Sequence, residues 1–250
     1  MGSGASAPKD EKTPEPTLKA EELSEEEKSR VEAAVEQAKK DVMMEIENER
    51  TWKAKSEELK PKLSASKYAK ETVLLWISDG ILSWPLAATA AKEGVLVLWY
   101  PAKEQHTLSD DLLAALKAAE VPEGSLKNVG WMFHGSEMTG EHKEANLKFL
   151  AALKPYLTAD SRVDILACEC VAGPTGMAVF KELEKESGIN LAASTDLVGN
   201  PSAGGNWLLE TDDVNVKGTY FTDDISAFSE TLLGYAMHRK IVRKARGLRG

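Results

Sequence analysis

Cysteine is almost missing from this chain: two occur in 250 residues, Cys168 and Cys170. So close along an extended run they cannot reach disulfide geometry without distortion. The sequence therefore reads as a thiol protein of a reducing, intracellular compartment. Long hydrophobic runs are missing as well. The nearest candidate, 73–91, is broken by Asp79, Gly80 and Pro85, so no segment is expected to span a bilayer. The first forty residues lack the apolar centre of a secretory signal. Basic excess is absent too: the formal net charge is -9, which argues against nucleic acid as a partner of the whole surface, because phosphate contacts need clustered Lys and Arg. No glycine loop cradles a phosphate, since Gly204-Gly205 precedes a strand pattern rather than a helix. The residues call for no cofactor.

What is present is a core-forming composition, 42% hydrophobic, enough for one main domain with appendages. Segment 1–23 is rich in Gly, Ser, Ala, Pro, Lys and Glu and reads as disordered. Its opening M-G-S-G-A-S matches the N-myristoylation pattern at Gly2, although chance matches to so short a motif are common. A single acyl chain would anchor only marginally. Ser24 with Glu27 forms a capping box that opens one long helix, 24–62, with apolar residues at Val31, Val35, Ala38, Val42 and Ile46. The heptad loses register past Val42, so a long autonomous coiled coil is not expected. The helix should pack on the main domain or on a protein partner.

Segment 70–222 reads as the main α/β domain. Apolar runs at 72–78, 95–100, around 129–133, at 162–168 and at 189–194 alternate with helical patterns at 86–93, 109–120, 144–157 and 175–187, the signature of βαβ units and a mostly parallel sheet with helices on both faces. Segments 206–210 and 214–221 read as a terminal hairpin at the sheet edge. From Ile225 to Arg246 the spacing predicts a helix that turns basic, giving a C-terminal arm over 223–250. Arg239, Lys240, Arg243, Lys244 and Arg246 exceed what the helix dipole needs. They are candidates for gripping an acidic protein partner, an anionic membrane surface or, locally, RNA.

Two strand ends carry the chemistry. V-G-W-M-F-H-G stops at His134 and Gly135, and R-V-D-I-L-A-C-E-C stops at Cys168. A parallel sheet brings such ends to one edge, where His134 is a candidate general acid/base, Cys168 a nucleophile and the Gly135 N–H an oxyanion donor. The competing reading is a buried apolar Cys and a hydrogen-bonded structural His. A metal site of Cys168, Cys170, His134 and His142 does not match structural-zinc spacings, and no metal is expected. Glu137 and Glu169 beside the pair read equally well as substrate selectors or solvated side chains.

The stretches D-I-L-A-C-E-C-V-A-G-P-T-G-M-A-V-F-K-E-L, I-N-L-A-A-S-T-D-L-V-G and G-G-N-W-L-L-E resemble the bacterial family catalogued as domain of unknown function 4347, over about 72–210. The resemblance implies a fold similar to the caspase and gingipain group of cysteine peptidases, with His134 and Cys168 in the positions of the dyad. Phe133 and Ala167 stand where that family carries Ser and Gly. The resemblance adds no metal. Two functions follow as expectations: a non-catalytic scaffold with helical docking arms, or a cysteine peptidase-like hydrolase using His134 and Cys168. The altered flanking residues and the short segment after His134 favour the scaffold.

Overall fold

The computed structural model describes residues 24–70, 72–102, 107–135 and 140–233. The chain divides into two compact units, 1–47 and 48–250. The described part of the first is the N-terminal stretch of helix α1, Glu25–Ser64. Its start is written in the sequence. The Glu27 carboxylate accepts from the Ser24 N–H at 2.9 Å and the Ser24 hydroxyl accepts from the Glu27 N–H at 3.3 Å, so the capping box is closed. The bond from the Ser24 backbone, followed by that from its side chain, holds the Glu27 carboxyl below its usual range.

The second unit opens with the rest of α1. The helix runs past the expected end near 62, through Pro61, to Ser64. Pro61 removes one helical N–H donor, and the turn around it is held by Leu59 and Leu63, which pack against one of the two apolar clusters. The Trp84 indole donates to the Ser56 hydroxyl at 3.2 Å, and Lys60 pairs with Asp79 at 2.9 Å. The boundary between helical extension and domain thus falls inside α1, near Asn48, rather than at its end.

The core is a five-stranded, wholly parallel sheet in the order β2-β1-β3-β4-β5, built from β1 (Val73–Ser78), β2 (Val95–Tyr100), β3 (Leu126–Met132), β4 (Leu157–Leu166) and β5 (Leu191–Ala192). Alternation along β1 sends Leu74 and Trp76 into one apolar cluster and Leu75 and Ile77 into the other, so both faces are covered. The first cluster is closed by α3 (Leu108–Ala118), α4 (Lys143–Leu153) and α5 (Gly173–Ser187), through Leu112, Phe149, Phe180 and their neighbours. The second is closed by α2 (Trp84–Thr89), the short α6 (Lys217–Tyr220) and chain from 207 to 233. A carboxylate is buried between the sheet and α6. Asp164 on β4 accepts from Arg162 at 2.5 Å and from the Tyr220 hydroxyl at 2.6 Å, although burial still raises its carboxyl pKa.

Two expectations change. The terminal hairpin forms, but only as β6 (Leu208–Leu209) against β7 (Val214–Asn215) in a separate two-stranded sheet. The helix expected from Ile225 does not start there: Asp223–Ala227 is a 3-10 turn, and 228–233 runs on without helix as a buried strap. The basic residues Arg239, Lys240, Arg243, Lys244 and Arg246, and Gly2 at the other end, lie outside the described residues.

Candidate functional site

In a doubly wound sheet of this order the chain turns to opposite sides after β1, leaving a crevice between the carboxyl ends of β1 and β3. His134 and Gly135 follow β3 after Phe133, and Cys168 follows β4 after Ala167. Met132 pairs with Leu166 in the ladder and the Phe133 N–H donates to the Leu166 carbonyl at 3.2 Å, so His134 and Cys168 leave the sheet side by side. The approach is closest at Gly135. A Cβ there would sit inside the van der Waals shell of the Cys168 carbonyl, so only glycine fits. The structure therefore brings the main chains of all three predicted residues together.

It does not give them free functional groups. Cys168 is 2% exposed, packed in the same apolar cluster as Val198, Trp207 and Leu232, and its thiol donates to the Val198 carbonyl at 3.5 Å. Burial pushes the thiol up from an ordinary 9.0 to about 12, and the charges of Glu169 and Asp196 push the same way. An activated nucleophile needs the opposite shift. The Thr231 hydroxyl lies near enough to favour the thiolate slightly, yet it makes no hydrogen bond of ordinary geometry.

The two ring nitrogens of His134 face carbonyls instead of sulfur: Nδ1 is 3.3 Å from Leu232 O and Nε2 is 3.2 Å from Gly80 O. A neutral imidazole has one N–H, so it donates to one of these at a time. The Gly135 N–H, expected as an oxyanion donor, is spent on Leu232 O at 3.3 Å. After Cys168 the chain turns through Glu169 at φ 54°, and the Glu169 N–H is taken by the Asp196 carbonyl at 2.8 Å. Cys170 points away into the opposite apolar cluster, which separates the two sulfurs by the sheet edge. Glu137 is outside the described residues.

The element that closes the site is the strap 228–233. Leu232 N–H donates to Val198 O at 2.8 Å, Asn200 N–H donates to Glu230 O at 3.0 Å, and the Ser83 N–H donates to the Glu230 carboxylate at 3.0 Å. The Ser83 hydroxyl donates to the same carboxylate. Gly199, at φ 138°, lets the strap approach: a Cβ there would lie 2.6 Å from Glu230 O and 2.7 Å from Thr231 Cα. Phe228, Thr231, Leu232 and Leu233 are buried. An open cavity of about 430 Å³ adjoins the crevice on its other side, lined by Trp52, Lys60, Asp79, Gly80 and Trp84 among others, but neither His134 nor Cys168 lines it.

The motif residues after Cys168 form a bracket around the turn. Thr195 N–H donates to Glu210 at 2.7 Å, and the Asn206 amide donates to both Asp196 oxygens at 3.1 and 3.0 Å. The Val171 N–H donates to Ser194 O. A-A-S-T-D-L-V-G and G-G-N-W-L-L-E thus hold the Cys168 turn and receive the strap. Residues 125–232 match the family described as Domain of unknown function (DUF4347). The matched segment starts later and ends later than the motifs alone suggested, and its end takes in the strap through Leu232. No curated protein and no solved structure matches the chain.

Among the described residues no cluster of three His, Cys, Asp or Glu is placed to hold a metal ion, and no helix is long and apolar enough to cross a membrane.

Proposed function

We propose that this chain is a non-catalytic structural or interaction protein, in which the α/β domain is a rigid scaffold and the helical N-terminal extension and basic C-terminal residues are docking arms. The observation that carries this reading is the state of Cys168: 2% exposed, its thiol pushed up to about 12 by burial, with the strap's Leu232 carbonyl on the Gly135 N–H and facing His134. A site that performs acyl transfer keeps its nucleophile ionisable and its oxyanion donors vacant.

The test is a pair of variants. Cys168→Ala should leave partner binding and localisation intact, while reversing the charges at Arg239, Lys240, Arg243 and Lys244 should abolish them, because cations acting together give a steep, salt-dependent attraction. Cleavage of a peptide library that disappears with Cys168→Ala would overturn the scaffold reading.

One observation favours a second reading, a cysteine peptidase-like hydrolase using His134 and Cys168. The Leu232 carbonyl meets the Gly135 N–H as the carbonyl of a bound substrate would. On that reading the strap must leave before reaction, and a chain ending at 227 should gain hydrolysis.

A further inference from the structure

Within α1 the stretch from Glu25 to Glu47 is exposed except at the half-buried Asp41 and Glu45, yet it carries an apolar seam: Val31, Val35 and Val42 are 51%, 49% and 47% exposed, with Ala38 exposed between them. A helix gains most of its stability by burying such a face, and an isolated one is marginal in water. We propose that this seam pairs with a second copy of the chain as a short antiparallel two-helix coiled coil centred between Glu36 and Gln37.

The charges choose both the partner and the direction. With Val35 and Val42 at a positions, Val31 and Ala38 take d, Lys28 takes a, Glu45 takes d, and Glu32 and Lys39 take e. A parallel, in-register pair would stack Lys28 on Lys28 and Glu45 on Glu45, and would set Glu27 against Glu32. Turned antiparallel, Val31 meets Val42 of the other copy and Val35 meets Ala38. Lys28 then meets Glu45 at both ends of the seam, and Glu32 meets Lys39 on its flank. Each favourable pair occurs twice by the two-fold axis, and the pairing is isologous, so it closes at a dimer. The competing local contacts are exposed i,i+3 pairs, Lys28 with Glu25 and Lys39 with Glu36, which are cheap to exchange. Acidic residues outnumber basic ones along this stretch, which disfavours an anionic lipid surface as the occupant. The seam ends where the heptad fails after Val42. At 1.5 Å per residue the paired region from Lys28 to Glu45 is roughly 27 Å long. Met43 and Met44 lie off the seam and the pairing does not account for their exposure.

The inference rests on reading the N-terminal helix as a docking arm and names what it docks to. Sedimentation equilibrium of the full chain over a wide concentration range should show a reversible monomer–dimer equilibrium. Val35→Asp should weaken it at least about tenfold, since it buries an unpaired charge in the seam. Lys28→Glu and Glu45→Lys should each weaken it severalfold, and the double reversal should restore it, because the two residues face each other across the axis. Far-UV circular dichroism of each variant, with the unfolding midpoint of the α/β unit, separates loss of pairing from loss of folding. A chain that stays monomeric at every concentration overturns the proposal, as does a dimer indifferent to Val35→Asp, a double reversal that fails to restore pairing, or a monomer whose helix binds phosphatidylserine vesicles instead. None of these outcomes bears on the closed Cys168 site, which the hydrolysis assay tests separately.

Discussion

Replacing Cys168 with alanine should remove the share of the alkaline loss of stability that this buried thiol contributes. In the unfolded chain the thiol titrates near its ordinary 9.0, whereas in the fold it titrates at about 12. Between those values the native state keeps a proton that the unfolded state has released. Stability from this group is therefore fully present below pH 9 and is lost as pH rises towards 12. At about 1.4 kcal/mol per pH unit the whole window is worth roughly 4 kcal/mol, and about 2 kcal/mol of it should be gone by pH 10.5. Tyr220, held well above its ordinary value by burial and by the Asp164 charge, titrates in the same direction, so the total slope is steeper than one thiol gives. Tyr220 is unchanged in the variant, so the difference between the two proteins isolates the thiol. Urea unfolding followed by tryptophan fluorescence, from neutral pH to pH 10.5, reads this difference directly. At neutral pH the variant should be the weaker by about 1 kcal/mol for the lost packing. As pH rises the gap should close and then reverse. Two stability curves that stay parallel would mean that Cys168 ionises in the fold as easily as in the unfolded chain, and the closed-site argument would fall.

Four other outcomes follow from the packing. Gly199→Ala places a Cβ 2.6 Å from Glu230 O and should cost about 2–4 kcal/mol in urea unfolding, or displace the strap outright. Glu230→Ala removes the carboxylate held by Ser83 and should cost about 1–3 kcal/mol, with faster amide exchange confined mainly to 228–233 and to the Asn200 N–H that donates to Glu230 O. Ile165→Ala, at a position 1% exposed near the carboxyl end of β4, should cost about 2–5 kcal/mol, and a smaller loss would mean that the sheet is not packed on both faces. Deleting residues 1–47 should leave the cooperative unfolding of the α/β unit unchanged, whereas deleting 1–61 should lower its midpoint, because Ser56, Leu59 and Lys60 leave their partners Trp84 and Asp79.

The parallel sheet was readable because its central strands are continuous apolar runs. T-V-L-L-W-I-S and R-V-D-I-L-A have no other use in a chain of this composition, and local pattern suffices for them. The capping box at Ser24 and Glu27 was readable for the same reason, since both partners lie within four residues. What misled was apolar spacing without its tertiary partners. Ile225, Phe228 and Leu232 sit at helical intervals, and the basic residues beyond them complete a helical pattern. In the fold those apolar residues are buried without a helix, because backbone bonds to Val198, Asn200 and Gly135 from distant parts of the chain outweigh propensity. The overrun of α1 through Pro61 has a similar origin in the burial of Leu59 and Leu63. At the site, the strand ends correctly placed His134, Gly135 and Cys168 at one edge. The sequence held no local sign that Leu232 would claim the Gly135 N–H, nor that the thiol would be sealed beneath Val198 and Thr231. Asp196, Asn206 and Glu210 stood in motifs already noticed, and their pairing could have been sought there.

The central claim, that Cys168 is a sealed structural thiol and not a nucleophile, is tested most directly by the rate at which iodoacetamide alkylates it in the native protein at neutral pH, read by mass spectrometry against Cys170 and against an exposed thiol. A thiol at about 12 instead of 9.0 holds about a thousandfold less thiolate at neutral pH, so labelling of Cys168 should be far slower than that of an exposed thiol, and Cys170, which is also buried, should not be labelled after it. Rapid labelling of Cys168 ahead of Cys170, persisting below neutral pH and lost with His134→Ala, would show a working dyad and contradict the account.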